Sequence, residues 1–315
     1  MSEEENKNNH TLLKVLGVTA AAGAAAYAGY GYYVFRNGFD LDNSVLFGKH
    51  TSPRLLTAGG ERHEWFSHCV RDDEYLSSYD GLKLHALRIT DNPDSHHWII
   101  FQHGLGECSS TLLDYFYEAD QRGYNILAPD ARGCGFSEGR YTGLGWNEHY
   151  DLISWINFLL NYDPNAQIAV MGLDAGGNAV MNCVGDYVPS GVKCMIEDGG
   201  FSDMKEIILY TIRKHRKMNG KLFIPSVDFY VKQFLHFSMN DVSTKHQLEN
   251  ASVPMLFMHG TEDEVVPTSM MFDNYYAYAY EKELFTAEGA GFRETSKAEG
   301  YFETLFTFID KYMHA

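Results

Sequence analysis

The stretch Ala169-Val170-Met171-Gly172-Leu173-Asp174-Ala175-Gly176-Gly177 constrains this chain more than any other. An apolar run from Ile168 to Met171 stops at Gly172, and a helical pattern runs from Asn178 to Tyr187. Between them lie one polar residue and a group of small ones, so the segment spells a strand, a tight turn and a helix. Gly172-Leu173-Asp174-Ala175-Gly176 has the spacing of a Gly-x-Ser-x-Gly turn. In such a turn the central residue sits on strained backbone and its side chain stands proud of the sheet. The flanking glycines are needed because a side chain there would collide with the neighbouring strand or helix. The serine is missing, and Asp174 holds its place.

The same alternation of strand and helix continues on both sides. Leu82–Thr90 alternates like a strand, and Trp98–Gln102, Tyr124–Ala128, Lys193–Ile196, Met255–Met258 and Glu283–Thr286 are short strand-like segments. Helical patterns cover Ser110–Gly123, Trp146–Tyr162 and roughly Lys297–Met313. Strands separated by helices of this length imply an α/β fold, with a mostly parallel sheet covered on both faces. A length of 315 residues suits one such domain with an insertion.

Further motifs occur in a fixed order. They are Gln102-His103-Gly104-Leu105-Gly106-Glu107, Asp130-Ala131-Arg132-Gly133-Cys134-Gly135-Phe136-Ser137, His259-Gly260-Thr261-Glu262-Asp263-Glu264-Val265-Val266-Pro267 and Glu288-Gly289-Ala290-Gly291-Phe292. Together with the turn at Asp174 they resemble the α/β-hydrolase superfamily over residues 80–315. The likeness is to monoglyceride-lipase-like and serine-aminopeptidase-like members, particularly membrane-anchored bacterial ones. It implies an α/β-hydrolase core from 80–200 and 251–315, with a helical cap from 201–250. By the same resemblance, the backbone amides of Leu105 and Ala175 would form the oxyanion hole. Asp263 would be the acid of the triad, Asp174 stands at the nucleophile position, and Phe292 stands where the catalytic histidine belongs.

Ahead of this core, residues 1–14 read as a polar tail and residues 36–79 as a linker with a short helix, broken by Pro53 and Gly59-Gly60. Between them Val15–Phe35 carries no charge. At about 1.5 Å per residue such a helix spans roughly the 30 Å of a bilayer's hydrocarbon. Lys14 and Arg36 bracket it, and Tyr27, Tyr30, Tyr32 and Tyr33 gather at one end, as at a membrane interface. The expectation is therefore one transmembrane helix and a single-pass membrane protein, with a cleaved signal peptide around Ala20–Ala26 as the alternative. Lys7 and Lys14 on one side balance Arg36 and Lys49 on the other, leaving the orientation open. Gly17, Ala21, Ala25 and Gly29 form a small-residue stripe suited to helix pairing.

Composition excludes some partners. A net charge of −17 argues against nucleic acid, whose phosphates would be repelled. The five cysteines are odd in number and scattered, which fits neither a disulfide framework nor a zinc site. The basic run Arg213-Lys214-His215-Arg216-Lys217 in the expected cap reads as a solvated helix face or, on an anchored chain, a contact for anionic headgroups.

Acyl transfer needs a nucleophile, a base to deprotonate it, an acid to orient the base, and donors for the developing oxyanion. Asp174 leaves two alternatives. Its carboxylate attacks an alkyl carbon and forms an ester, or it is inert, capping its helix and filling the oxyanion hole. Phe292 can neither take nor give a proton, so the first alternative needs a base from elsewhere. His103 belongs to the oxyanion loop, His149 reads as a surface residue, His215 and His236 lie in the cap, and His259 reads as a core histidine. Cys108 and Cys134 would still need a base, and no ligand spacing supports a metal at Asp174 and Asp263. No cofactor is expected. Two functions remain: a catalytically inactive hydrolase-like protein whose capped pocket binds an acyl or lipid-like ligand or a protein partner, or a hydrolase of ester, peptide or alkyl bonds with an altered set of residues. An engineered variant of an ordinary serine hydrolase would carry the same two replacements.

Overall fold

The computed structural model describes residues 3–43, 60–186, 188–217 and 219–313. In chain order the elements are α1 (Glu3–Phe39), α2 (Glu61–His68), β1 (Arg71–Ser77), β2 (Lys83–Ile89), β3 (His97–Gln102), α3 (Leu113–Asp120), β4 (Asn125–Pro129), α4 (Trp146–Tyr162), β5 (Gln167–Leu173) and α5 (Ala175–Cys183). Then follow β6 (Val192–Asp198), α6 (Met204–Arg216), α7 (Ile224–Leu235), α8 (Thr244–Glu249), β7 (Met255–Gly260), α9 (Thr268–Ala277), β8 (Lys282–Ala287) and α10 (Tyr301–Met313).

The strands form a single eight-stranded sheet in the order β1-β2-β4-β3-β5-β6-β7-β8. Pairing is antiparallel from β1 to β2 and from β2 to β4, and parallel from there to β8. The central strands are buried on both faces. Their side chains alternate between two cores, one holding Trp98, Ile100, Val170 and Met195 with Trp155 and Leu159 of α4, the other holding Ile99, Phe101, Met171 and Ile196 with Phe116 of α3 and Leu305 of α10. The expected mostly parallel sheet with helices on both faces is what the chain forms. Sequence periodicity missed β1, because Arg71-Asp72-Asp73-Glu74 is polar and largely exposed. Its seven residues pair in unbroken register with β2, and charge on an edge strand is a common guard against edge-to-edge association.

A third core joins α1, α6 and α7. Val34, Phe35 and Phe39 of α1 pack with Ile207, Ile208 and Ile212 of α6 and with Val227 and Val231 of α7. Phe35 stacks on Phe39 and Phe234, and Tyr30 lies against Phe223 at 4.2 Å between ring centroids. The helices meet closely at Gly31, where a Cβ would sit 2.0 Å from Oγ of Ser226. Glycine lets the two backbones approach here.

This packing corrects the expectation for the N-terminus. No helix among the described residues is long and apolar enough to cross a membrane, so the transmembrane anchor over Val15–Phe35 and the single-pass membrane assignment are not supported. The physical reason lies in composition. Eleven of those twenty-one residues are alanine or glycine, which are uncharged yet bury little apolar surface. At its C-terminal end Val34 and Phe35 are already buried in the protein, while Val15, Leu16 and Val18 are exposed. α1 also starts at Glu3, so the stretch expected as a polar tail is helical. Residues 14–26 of α1 are exposed, and Gly17 and Gly29 of the small-residue stripe have nothing within 4 Å of a notional Cβ. The linker's Pro53 and Gly59 lie outside the described residues, and α2 supplies its short helix.

If α1 is a packing element, Phe35→Ala should lower the unfolding free energy by about 3 kcal/mol, the cost of truncating a buried phenylalanine. Val18→Ala, on the exposed part, should stay within about 0.5 kcal/mol of the parent. Denaturant unfolding of the two variants checks this; equal effects would mean that α1 does not hold the α6–α7 layer.

Candidate active site

The site is built at the C-terminal ends of the parallel strands, where β5, β6 and β7 each deliver one aspartate. Asp174 lies between β5 and α5 with φ 52° and ψ −119°, a left-sided conformation costly for any residue with a Cβ. The turn is held by its amide donating to Asp198 O at 2.7 Å, and by Asn178 N donating to Asp174 O at 3.2 Å. Both glycines are forced. A Cβ at Gly172 would sit 2.1 Å from Gly176 O, and one at Gly176 would sit 2.4 Å from Gln102 O.

Asp174 does not cap α5 with its side chain. Its Oδ2 instead accepts from the Leu105 amide at 3.2 Å and from Nη2 of Arg293 at 2.8 Å. The same guanidinium donates to Leu105 O at 2.6 Å, pairs with Glu107 through Nη1 at 3.3 Å, and lies 4.8 Å from the centroid of the Phe292 ring. Arg293 thus ties the elbow, the loop after β3 and the loop after β8 together. Burial works against its charge, but Asp174 and Glu107 outweigh that and raise its pKa further above the ordinary range. Sequence reasoning passed over Arg293. The signal available was its place next to Phe292: an aspartate at the elbow requires a counter-charge, and Arg293 is the basic residue adjoining the replaced histidine.

A cavity of about 180 Å³ opens beside Asp174. Asp263 and Phe292 line it as well, so the structure brings three of the expected positions into one space. Asp263 accepts from the amides of Val265 and Val266 at 2.7 and 2.9 Å, while burial pushes its carboxyl up. Asp198, absent from the sequence expectations, forms part of the inner wall. Its Oδ2 accepts from the Tyr301 hydroxyl at 2.7 Å, and Tyr301 in turn meets the Tyr115 hydroxyl at 3.1 Å. Burial is the main cause that pushes Asp198 up to about 7, and repulsion from Asp263 and Asp174 adds to it.

No histidine or cysteine lines the cavity among the described residues, and of the alternative bases His259 comes within 3.7 Å of a lining residue, Nε2 to Oδ2 of Asp263. His103 is structural: its Nε2 accepts from the Ala131 amide at 2.9 Å, leaving Nδ1 to donate to Gly104 O. His149 is not a surface residue; it is buried and meets Asp186 at 3.1 Å. His215 and His236 are exposed. His259 is fully buried, its Nε2 is 2.9 Å from Val266 O, and burial lowers its pKa. Cys108 and Cys134 are both buried, and burial raises their pKa values. The turn at Asp130 is a brace. Asp130 accepts from His85, Ser109 N and Phe136 N, and Arg132 forms a two-bond pair with Asp151.

A family model described as the alpha/beta hydrolase fold matches residues 97–214. The chain has the α/β-hydrolase fold. Among solved structures, the Pyrococcus furiosus esterase Pf2001 superposes with a TM-score of 0.66 at 20% identity, covering 84% of this chain and 100% of that one. Est1E of Butyrivibrio proteoclasticus, solved with ferulic acid bound, gives a TM-score of 0.59 at 16% identity over 77% of this chain and 100% of its own. In sequence, the chain is 26% identical over 255 residues to the uncharacterized protein YqkD of Bacillus subtilis (strain 168), covering 80% of this chain and 83% of YqkD. In the nucleophile elbow of α/β hydrolases a serine sits on a sharp strand-to-helix turn, and Asp174 sits on the turn between β5 and α5 here.

The Asp174–Arg293 pair should be measurable by a double-mutant cycle. Asp174→Asn and Arg293→Met should each destabilise the protein, and together by less than their sum, with a coupling of about 1–3 kcal/mol. Additive effects in thermal or denaturant unfolding would show that the two charges do not depend on each other.

Proposed function

We propose that this α/β-hydrolase-fold protein does not run serine-hydrolase chemistry and instead uses its pocket to bind a small molecule. The observation that carries this reading is the Asp174 carboxylate, bound at once by Arg293 and by the Leu105 amide. A carboxylate whose Oδ2 is held by a guanidinium and a backbone amide is a weaker nucleophile, because those donors stabilise the negative charge it would attack with. The Leu105 amide, one of the two donors the resemblance assigns to the oxyanion hole, is already occupied by Asp174. A carbonyl oxygen entering there would meet negative charge instead of two free N–H groups. Phe292 offers no base. The relation to serine esterases and peptidases is therefore one of ancestry in fold, with Asp174 and Phe292 in place of Ser and His.

The ligand expected from the resemblance, an acyl or lipid-like molecule, needs revision in its chemistry. Leu112, Leu173 and Phe292 give the cavity some apolar wall, yet Glu107, Asp114, Asp174, Asp198 and Asp263 also line it. No described residue of 201–250 contributes to the lining. A long acyl chain has little to bury against here, and a small polar ligand fits better.

The chain should not turn over short p-nitrophenyl esters above the rate set by surface nucleophiles. Triad members act as a unit, and losing them costs on the order of 10⁶ in kcat. Asp174→Ser alone should recover almost nothing, since the hydroxyl would lack a base. Asp174→Ser with Phe292→His should recover activity, because the resemblance makes Asp263, which lines the same cavity, the acid for a histidine at 292. Multiple turnovers by the native chain, lost in Asp174→Ala, would refute the proposal and make Asp174 a working nucleophile.

A further inference from the structure

We propose that the free edge of β8 is a pairing surface for a second copy of this chain, joined strand to strand about a two-fold axis at Leu284, so that the sheet of one copy runs on into the other. The inference goes beyond the pocket and does not depend on its ligand. It starts from the two ends of the sheet, β1 and β8. β1 is charged at four successive positions, Arg71 to Glu74, which guards that edge. β8 carries charge only at Lys282 and Glu283, and both are engaged within the chain. Lys282 Nζ donates to the carbonyls of Tyr275 and Tyr278 at the end of α9, at 2.7 and 2.8 Å, and Glu283 pairs with Lys311 of α10 at 2.8 Å. Leu284, Phe285, Thr286 and Ala287 complete the strand without a charge.

The backbone bonds show that this edge is open. Glu281 O accepts from Met255 N and Ala287 O accepts from Thr261 N, so the odd-numbered residues from 281 to 287 direct their peptide groups at β7. The N–H and C=O groups of Lys282, Leu284 and Thr286 therefore face away from β7, and among the described residues nothing pairs with them. Leu284 and Thr286 are exposed, as are Tyr280 just before the strand and Tyr276 on the last turn of α9. An edge with free donors and acceptors, apolar side chains and little charge is a template for another strand.

The strand that fits this edge is β8 itself. Antiparallel pairing centred on Leu284 sets it opposite Leu284 of the second copy and sets Lys282 opposite that copy's Thr286. Every outward N–H then meets an outward C=O. In the same register Glu283 faces Phe285, and no two like charges stand directly opposite each other. Glu283 meets its counterpart only on the diagonal, and Lys311 neutralises it in each copy. Such a contact closes at two chains, because each edge is used up by the other. The net charge of −17 on each copy opposes association, so the pairing carries a salt dependence of known sign.

Sedimentation velocity on the native full chain tests this. A reversible dimer is expected, and it should tighten from low to physiological salt as screening relieves the repulsion between the two copies. Leu284→Pro removes an N–H that the fold itself leaves unused, and Thr286→Lys sets a like charge opposite Lys282. Each should weaken the dimer about tenfold or more, with the circular dichroism of the native chain retained. Crosslinking reads the register. The five native cysteines are buried, so an added exposed one reports alone. Leu284→Cys should form a disulfide-linked dimer on mild oxidation, since its two Cα atoms lie about 5.5 Å apart across the axis. Glu281→Cys should not, because its two Cα atoms are roughly 20 Å apart. A chain that stays monomeric at every accessible concentration would overturn the inference, whether or not its edge takes up a foreign extended peptide. So would a dimer that both edge variants leave intact, one that salt weakens, or one that crosslinks at 281 and not at 284. The crosslinking result holds even if Leu284→Pro fails to fold.

Discussion

The backbone at Asp174 must turn sharply from β5 into α5 with a side chain on a left-sided φ, and much of the surrounding structure follows from that turn. Gly172 and Gly176 exist because neighbouring backbone lies within about the space of a single Cβ. The loop after β3 comes close for the same reason, which places the Leu105 amide where it can reach whatever residue 174 carries. In an enzyme this geometry aims a nucleophile. Here it aims a negative charge into a space walled by two further aspartates, and that charge needs a partner. Arg293 supplies it. The strained turn and the ion pair therefore belong together: the turn presents the carboxylate, and the guanidinium makes a carboxylate tolerable there.

Much of the core was legible because its signals are local and steric. A parallel strand buried on both faces is a continuous apolar run, and Ile168–Met171 and Met255–Met258 read as such without reference to anything distant. The elbow glycines were legible for the same kind of reason. β1 was not, since an edge strand of charged residues owes its structure to pairing with β2 rather than to its own pattern. The fate of α1 was hidden by a different ambiguity. Absence of charge over twenty-one residues is shared by a bilayer span and by a helix that lays its last turns on other helices. The apolar content per residue separates the two, and in this stretch alanine and glycine dominate.

Within the site, motifs single out Asp174, Asp263 and Phe292, and nothing local in the sequence singles out Asp198 or Arg293. Asp174, Asp263 and Phe292 stand in recognisable patterns and do line one cavity. Asp198 ends an ordinary strand, and nothing adjacent in sequence shows that β6 lies between β5 and β7, which is what brings its carboxyl beside the other two. Tyr301 and Tyr115, which hold it, come from α10 and α3, far away along the chain. Arg293 was adjacent to a marked position yet invisible as a partner, because its role depends on a loop that folds back across the strand ends.

Asp174 and Phe292 make better physical sense together than apart. The carboxyl of Asp174 is partly exposed and is met by the Arg293 guanidinium. An aromatic ring at 292 gives up proton transfer but provides a flat surface under the guanidinium of 293, within cation–π range at 4.8 Å. α5, starting immediately after Asp174, adds the positive end of its backbone dipole on the other side. The loop after β8 thus fixes the turn at residue 174 by bringing the Arg293 guanidinium to its carboxyl.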